Sequence, residues 1–205
     1  MNRDELLASL EQLLSADQSI LVVLAGSNGA GKTTFFELYL QSLGLPFVNA
    51  DVIAQTLSAL DPARVAYEAA GLAELVRRDL VTQRASFCME TVFSDPAGDK
   101  VQFLREAQSA GYLIIFLCFR LSDAALSSAR VSQRAARGGH DVPGEKIAAR
   151  FERTRRNVAA ALQFVDLGLI IDNSSAQDPF RLVERWERGT CVESESRLIH
   201  SCGGD

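Results

Sequence analysis

The chain has 205 residues, of which 47% are hydrophobic and 23% charged, and its formal net charge is -5. This length suits one domain with a substantial core, and the composition excludes a disordered, collagen-like or coiled-coil protein. The longest apolar run, residues 112–119, is shorter than the ~20 residues of a membrane helix, and the acidic N-terminus lacks a signal-peptide pattern. We therefore expect a single cytoplasmic domain over residues 1–205, without a membrane partner.

Apolar periodicity predicts that short strands and helices alternate along the chain. Strands are predicted at 20–25, 46–49, 87–89, 113–119 and 167–171, and helices at 4–14, 31–43, 62–80, 100–110, 123–137, 145–162 and 178–186. The polar segment from about residue 189 is either a small edge hairpin or a loose tail. Wholly apolar strands that alternate with helices indicate a parallel sheet covered on both faces. The predicted fold is therefore a three-layer α/β domain with a central, mostly parallel five-stranded sheet.

A glycine-rich motif follows the first predicted strand directly. Residues 26–33 read Gly-Ser-Asn-Gly-Ala-Gly-Lys-Thr and fit G-x-x-x-x-G-K-[ST] at every position. In this motif backbone N–H groups surround phosphates, Lys32 reaches the β and γ phosphates, and the Thr33 hydroxyl ligates Mg²⁺. A chance match in a glycine-rich turn is the alternative, but the flanking strand and helix argue against it. The residues expected to bind ATP here are Gly26, Ser27, Asn28, Gly29, Ala30, Gly31, Lys32, Thr33 and Thr34.

The motif predicts a P-loop NTPase, and the polar residues that end the second and third strands bear on its chemistry. Asp51 is a candidate general base for an attacking hydroxyl, and capping of the following helix is its alternative or additional role. Glu90 is a candidate to hold Mg²⁺ through water or to bind a substrate hydroxyl; a strand-end charge turned to solvent is the alternative. Thr91 adds a hydrogen-bonding group suited to a polyhydroxylated acceptor.

A basic block lies inside this acidic chain. Residues 120–156 contain nine Arg and Lys against four Asp and Glu, a local charge of +5, so the rest of the chain sums to -10. Arg130 and Arg134 share one helix face, and Arg150 and Arg153 are paired on the next helix. We expect these two helices to form a lid that closes over the triphosphate, with ordinary surface ion pairs as the alternative for most of the arginines. Nucleic acid is not favoured as a partner, because the overall charge is negative and no aromatics interleave the basic residues.

Two further polar residues lie in predicted turns. His140 lies in the Gly-rich turn between the lid helices, where it either contacts a ligand or stabilises the turn. Asn173 follows the fifth strand, where a loop would pass the purine base of ATP, and a plain Asx turn is the equal alternative.

In their order along the chain, these motifs resemble those of the zeta-toxin-like P-loop kinases. The matching segments are residues 23–33, 48–51, 90–91, 130–143 and 172–174, so the resemblance covers most of the domain. It implies an adenylate-kinase-type core that binds ATP and Mg²⁺. It also implies transfer of the γ-phosphate to a sugar hydroxyl of UDP-N-acetylglucosamine, by a toxin that a small helical antitoxin neutralises.

Carried over residue by residue, the resemblance assigns a role to each matching position. It makes Lys32 the phosphate-binding lysine, Thr33 the magnesium hydroxyl and Asp51 the base on the acceptor hydroxyl. It makes Glu90 a substrate-site carboxylate and Arg134 a catalytic lid arginine. The candidates for a second lid arginine are Arg130, Arg150 and Arg153.

Two other functions remain open from the sequence. Residues 28–34 also resemble the phosphate loop of ABC-type ATPases, which hydrolyse ATP without an acceptor. Against that reading, the chain has no Ser-Gly-Gly-Gln signature and no apolar strand that ends in Asp-Glu. The other alternative is a non-catalytic protein in which bound nucleotide stabilises a complex with a protein partner.

Overall fold

The structure is a computed structural model, and it describes residues 3–15, 18–136 and 144–195. The helices in these ranges are α1 (Arg3–Ser15), α2 (Lys32–Phe35), α3 (Ala50–Leu57), α4 (Ala66–Thr82), α5 (Asp99–Ser109), α6 (Ala124–Ala136) and α7 (Gly144–Leu162). A π-helical turn (Phe36–Leu40) and a 3-10 turn (Gln41–Leu43) extend α2, so the helical segment predicted at 31–43 is confirmed. None of the helices described is long and apolar enough to cross a membrane.

All the strands described join one sheet. They are β1 (Ile20–Gly26), β2 (Phe47–Val48), β3 (Phe87–Thr91), β4 (Leu113–Arg120), β5 (Leu167–Asp172), β6 (Arg181–Glu187) and β7 (Thr190–Ser194). Their order across the sheet is β2-β3-β1-β4-β5-β6-β7. The first five are parallel, and β6 and β7 add an antiparallel edge. The strand that precedes the glycine-rich loop therefore lies inside the sheet, between β3 and β4.

Helices cover both faces of the sheet, which confirms the three-layer α/β prediction. Every residue of β1 is buried, because alternate side chains point to opposite faces and both faces are covered. On one face Val23 belongs to a core shared with Ala73 of α4, Phe103 of α5 and Leu162 of α7. On the other face the core includes Leu6 and Leu10 of α1 together with Phe35 and Leu40.

The carboxyl-terminal part of the sheet corrects two predictions. The sheet described has seven strands rather than five, and the helix predicted at 178–186 is wrong, because β6 occupies most of that range. Asp178-Pro179 resembles a helix start, but β5 offers an open edge to pair with. Arg188 and Gly189 have φ angles of 45° and 84°, as a tight hairpin turn between antiparallel strands requires. Of the two alternatives for the segment from residue 189, the edge hairpin is therefore correct as far as Ser194.

Helix α4 also begins later than predicted. Residues 62–65 form turns, and the helix begins at Ala66 rather than at Pro62. The Asp61 carboxylate accepts the backbone N–H of Arg64 at 3.2 Å, so it closes that turn instead of capping a helix.

The hydroxyl of Tyr112 ties β4 to the end of α4. Tyr112 is 2% exposed, and its Oη lies 2.9 Å from the Leu80 carbonyl oxygen and 2.8 Å from that of Ala85. We expect Tyr112→Phe to lower the free energy of unfolding by about 1 kcal/mol, because two partly buried carbonyl oxygens lose the hydroxyl that donates to them. Urea denaturation measures this, with Tyr67→Phe as the control because Tyr67 is 97% exposed. Equal stability of the two variants would contradict the assignment.

Candidate functional site

The glycine-rich loop joins β1 to α2, as the motif predicts. Gly26, Gly29 and Gly31 have φ angles of 147°, 74° and 91°, which side-chain-bearing residues rarely adopt. A Cβ atom on Gly26 would lie 2.3 Å from the carbonyl oxygen of Phe119, so this glycine also permits the close approach of β4. The loop thus places consecutive backbone groups around one point at the carboxyl end of the sheet.

Lys32 is held between the start of this loop and the end of β3. The side chain is buried, and Nζ donates to the carbonyl oxygens of Gly26 and Ser27, each at 3.0 Å. Nζ also lies 3.7 Å from Oε1 of Glu90. The ammonium is therefore held at the phosphate loop, and its contact with phosphates stays a prediction.

The Glu90 carboxylate connects three parts of the site. Its Oε2 accepts the Thr33 hydroxyl at 2.8 Å and the Asn49 side-chain amide at 3.0 Å. On β3 Glu90 is paired with Leu24 of β1, so the strand register places it beside the loop. The side chain is 10% exposed, which overturns the alternative that it is a charge turned to solvent.

Thr33 and Glu90 also fit a magnesium ion. A hydroxyl and a carboxylate that already lie 2.8 Å apart supply the hard oxygen ligands that Mg²⁺ prefers, and a triphosphate would supply more. Within the described ranges, no cluster of three or more His, Cys, Asp or Glu side chains offers another metal site. The residues present therefore fit the predicted Mg²⁺, and its ligation by Thr33, with Glu90 acting through water, stays a prediction.

Asn49, which the sequence interpretation missed as a functional residue, caps α3. Its Oδ1 accepts the Asp51 backbone N–H at 2.8 Å, while its amide group donates to Glu90. The capping role considered for Asp51 therefore belongs to Asn49. Asp51 lies in the first turn of α3 with an exposed side chain, and its carboxylate makes no hydrogen bond or ion pair with any described residue. Its role as a base stays a prediction.

Thr91 and Asn173 shape the loops that surround the site. The Thr91 hydroxyl oxygen accepts the Phe93 N–H at 2.9 Å and so sets the turn after β3. The Asn173 amide donates to the Ala30 carbonyl at 2.9 Å, which fastens the end of β5 to the phosphate loop. The Asx turn that follows β5 is made by Asp172, whose carboxylate accepts the Ser174 N–H. Contacts of Thr91 with an acceptor and of Asn173 with a base stay predictions.

Helix α6 packs directly on the phosphate loop. The Ser127 hydroxyl, fully buried, donates to the Asn28 carbonyl at 2.6 Å, and Arg130 Nη1 lies 3.5 Å from the Gly29 carbonyl oxygen. The structure thus brings Arg130 to the loop. Ser127 is a further residue that sequence reasoning missed; its spacing of three from Arg130 on one helix was the available signal.

The other predicted lid residues are placed differently. Arg153 on α7 donates to the Ser94 carbonyl at 2.9 Å, so it binds the loop after β3. Arg150 is partly exposed on the same helix. The side chain of Arg134 and all of His140 lie outside the described residues. Their lid contacts stay predictions.

The fold and the loop geometry define a P-loop kinase-like domain. Residues 21–160 match the family model AAA_33, described as an AAA domain, and the chain belongs to this family. No curated protein matches the chain.

Several solved structures share the fold. The AvrRxo1-ORF1:AvrRxo1-ORF2 complex with sulphate ions is 18% identical over 97% of this chain and 70% of that chain, with a TM-score of 0.68. The same complex with ATP is 17% identical over the same shares, with a TM-score of 0.64. A structure of the PezAT chromosomal toxin-antitoxin system of Streptococcus pneumoniae is 15% identical over 99% of this chain and 88% of that chain, with a TM-score of 0.59. At these identities the likeness is one of fold, and the zeta-toxin-like family stays a prediction.

The packing of Gly31 against Asn173 predicts the effect of a substitution. A Cβ atom on Gly31 would lie 2.4 Å from the Asn173 amide nitrogen, and its φ of 91° already disfavours a side chain. Because Asn173 fastens Ala30, we expect Gly31→Ala to weaken binding of a non-hydrolysable ATP analogue at least about tenfold by calorimetry. Gly44→Ala is the matched control, since Gly44 also has a positive φ, 67°, but faces open space. Equal affinities in the two variants would contradict this account of the loop.

Proposed function

We propose that this protein is an ATP-dependent kinase that transfers the γ-phosphate to a hydroxyl group of a small molecule. The observation that carries the proposal is the position of the Glu90 carboxylate, bonded to Thr33 and 3.7 Å from Lys32. A lysine, a hydroxyl and a carboxylate at one end of a phosphate loop supply what phosphoryl transfer needs: charge neutralisation and a metal-binding position.

Asp51 is the proposed general base. One side chain, that of Asn49, bonds both the Glu90 carboxylate and the Asp51 backbone N–H, so the first turn of α3 is positioned relative to the phosphate loop. Because the Asp51 carboxylate is exposed and makes no bond to a described residue, it is available to accept a proton from an incoming hydroxyl. Proton transfer to Asp51 would accompany attack of that hydroxyl oxygen on the γ-phosphorus, while the bond from the γ-phosphorus to the β,γ-bridging oxygen breaks and ADP leaves.

The proposed acceptor is a sugar nucleotide such as UDP-N-acetylglucosamine. The support is the sequence resemblance to the zeta-toxin-like kinases, in which Asp51, Glu90 and Thr91 occupy the substrate side. Thr91 follows Glu90 at the end of β3, and its contact with the acceptor is part of this proposal.

Arginines on α6 are proposed to neutralise the transferring phosphoryl group. Arg130 already lies at the Gly29 carbonyl, and Arg134 lies one helical turn further along α6. Of the three candidates for the second lid arginine, this contact favours Arg130. Arg153 instead donates to a loop carbonyl.

A protein partner is proposed as well. The AvrRxo1-ORF1 structures are complexes with ORF2, and PezAT is a toxin-antitoxin system. On the basis of this analogy and of the sequence resemblance to the zeta-toxin-like kinases, we propose that this kinase acts in the cytoplasm as a toxin. A small antitoxin protein would neutralise it.

Replacement of the proposed base tests this function. We expect Asp51→Asn to lower kcat for phosphoryl transfer by at least about 100-fold, because loss of a general base typically costs 10²–10⁴. The affinity for ATP and the stability should stay unchanged, since the carboxylate bonds no described residue. Asp99→Asn is the matched control, because Asp99 is also an exposed carboxylate in the first turn of a helix, α5. Transfer at the wild-type rate in Asp51→Asn would refute the base assignment.

A further inference from the structure

A cavity lies beneath α7, on the β4 side of the phosphate loop. Its volume is about 310 Å³, and the described residues that line it come from the loop, from β4, β5 and β6, and from α7. Glu90 and Asn49 belong to the β3 side of β1, so the cavity shares with the phosphate site only the loop residue Ser27. Its size suits a small organic molecule.

The floor of the cavity is a row of three cross-strand neighbours. Cys118 on β4 is paired with Ile170 on β5, and Ile170 is paired with Glu184 on β6. Cys118 and Ile170 are buried, and burial raises the pKa of the Cys118 thiol to about 12, so the thiol stays neutral at physiological pH. Phe151 and Val158 of α7 add further apolar surface to the lining.

Glu184 is the charged residue of the cavity lining that has no ion-pair partner among the described residues. Its carboxylate accepts the indole N–H of Trp186 at 2.8 Å, and this neutral donor leaves its negative charge in place. The two arginines of the lining are already paired: Arg120 lies 3.3 Å from Asp172, and Arg155 lies 3.5 Å from Glu152. An apolar cavity whose one carboxylate has no ion-pair partner among the described residues favours a ligand that is cationic at one end.

Ser27 adds an independent observation at the loop end of the cavity. Ser27 is 6% exposed, and its hydroxyl is buried without a hydrogen-bond partner. A buried hydroxyl without a hydrogen-bond partner raises the free energy of the folded state, and a hydrogen bond to a polar ligand atom would lower it. The Ser27 carbonyl meanwhile accepts Lys32, so the hydroxyl is the part of this residue available to a ligand in the cavity.

We propose that this cavity is a binding site for a small organic amine with an apolar body. The ammonium group pairs with Glu184, and the apolar body packs between Ile170 and the α7 residues Phe151 and Val158. The Ser27 hydroxyl bonds a polar atom of the ligand at the opposite end. The site shares Ser27 with the phosphate loop, whose backbone N–H groups serve the phosphates, and its other lining residues lie outside the predicted ATP and acceptor sites.

Calorimetry on the full chain with three probes of one shape tests the site. The probes are phenethylamine, 2-phenylethanol and phenylacetate, which are cationic, neutral and anionic at neutral pH. We expect the amine to bind at least about tenfold more tightly than the alcohol, because a hydrogen-bonded charge contributes more than a neutral contact, and the acid to bind more weakly still. Failure of the amine to bind, or equal binding of the three probes, would overturn the proposal. The three probes are compared on the wild-type protein, so the result does not depend on the folding of a variant.

Variants then locate the binding. Glu184→Gln keeps the shape of the side chain, and it should reduce amine affinity to that of the alcohol. Glu187→Gln is the control, since Glu187 lies on the same strand and is exposed. A saturating ATP analogue should leave amine affinity unchanged. Equal amine affinity in Glu184→Gln and the wild type, or competition between the amine and the ATP analogue, would overturn the proposal.

Discussion

The carboxylate of Glu90 is the constraint on which the rest of the site depends. It accepts bonds from Thr33 on α2 and from Asn49 before α3, and it lies beside the Lys32 ammonium. A nearly buried negative charge is tolerated when donors and a cation surround it, and the parallel register of β1 and β3 supplies them. Loss of this one group would separate the phosphate loop from the segment that carries Asp51.

The sheet places this constraint near the middle of the molecule. β1 lies between β3 and β4, so Glu90 approaches the phosphate loop from one side, while α6 and the end of β5 approach it from the other. Ser127 and Asn173 bond loop carbonyls, and Arg130 lies near a third. The loop is therefore supported by side chains from three separate chain segments. Its conformation depends on the whole fold and not on its glycines alone.

Local patterns predicted the parts of the fold and site that depend on neighbouring residues. The motif at 26–33 and the polar strand-end residues Glu90 and Asn173 follow from periodicity, because apolar strands end where polar residues begin. Strand-end periodicity does not assign Asn49 or Ser127, since their partners lie 41 and 99 residues away along the chain, and the helix spacing from Arg130 is the one local signal for Ser127. β6 was mispredicted as a helix because Asp178-Pro179 is helix-like locally, whereas pairing with β5 is a tertiary effect.

The most direct measurement follows the γ-phosphate itself. ATP labelled at the γ position is incubated with the protein, Mg²⁺ and a panel of hydroxyl-bearing metabolites that includes UDP-N-acetylglucosamine, and the labelled products are separated. If the Glu90-centred site is that of a kinase, label appears on one acceptor, and release of inorganic phosphate in the absence of acceptor is much slower. Label found only in inorganic phosphate, at a rate that no acceptor changes, would contradict the account.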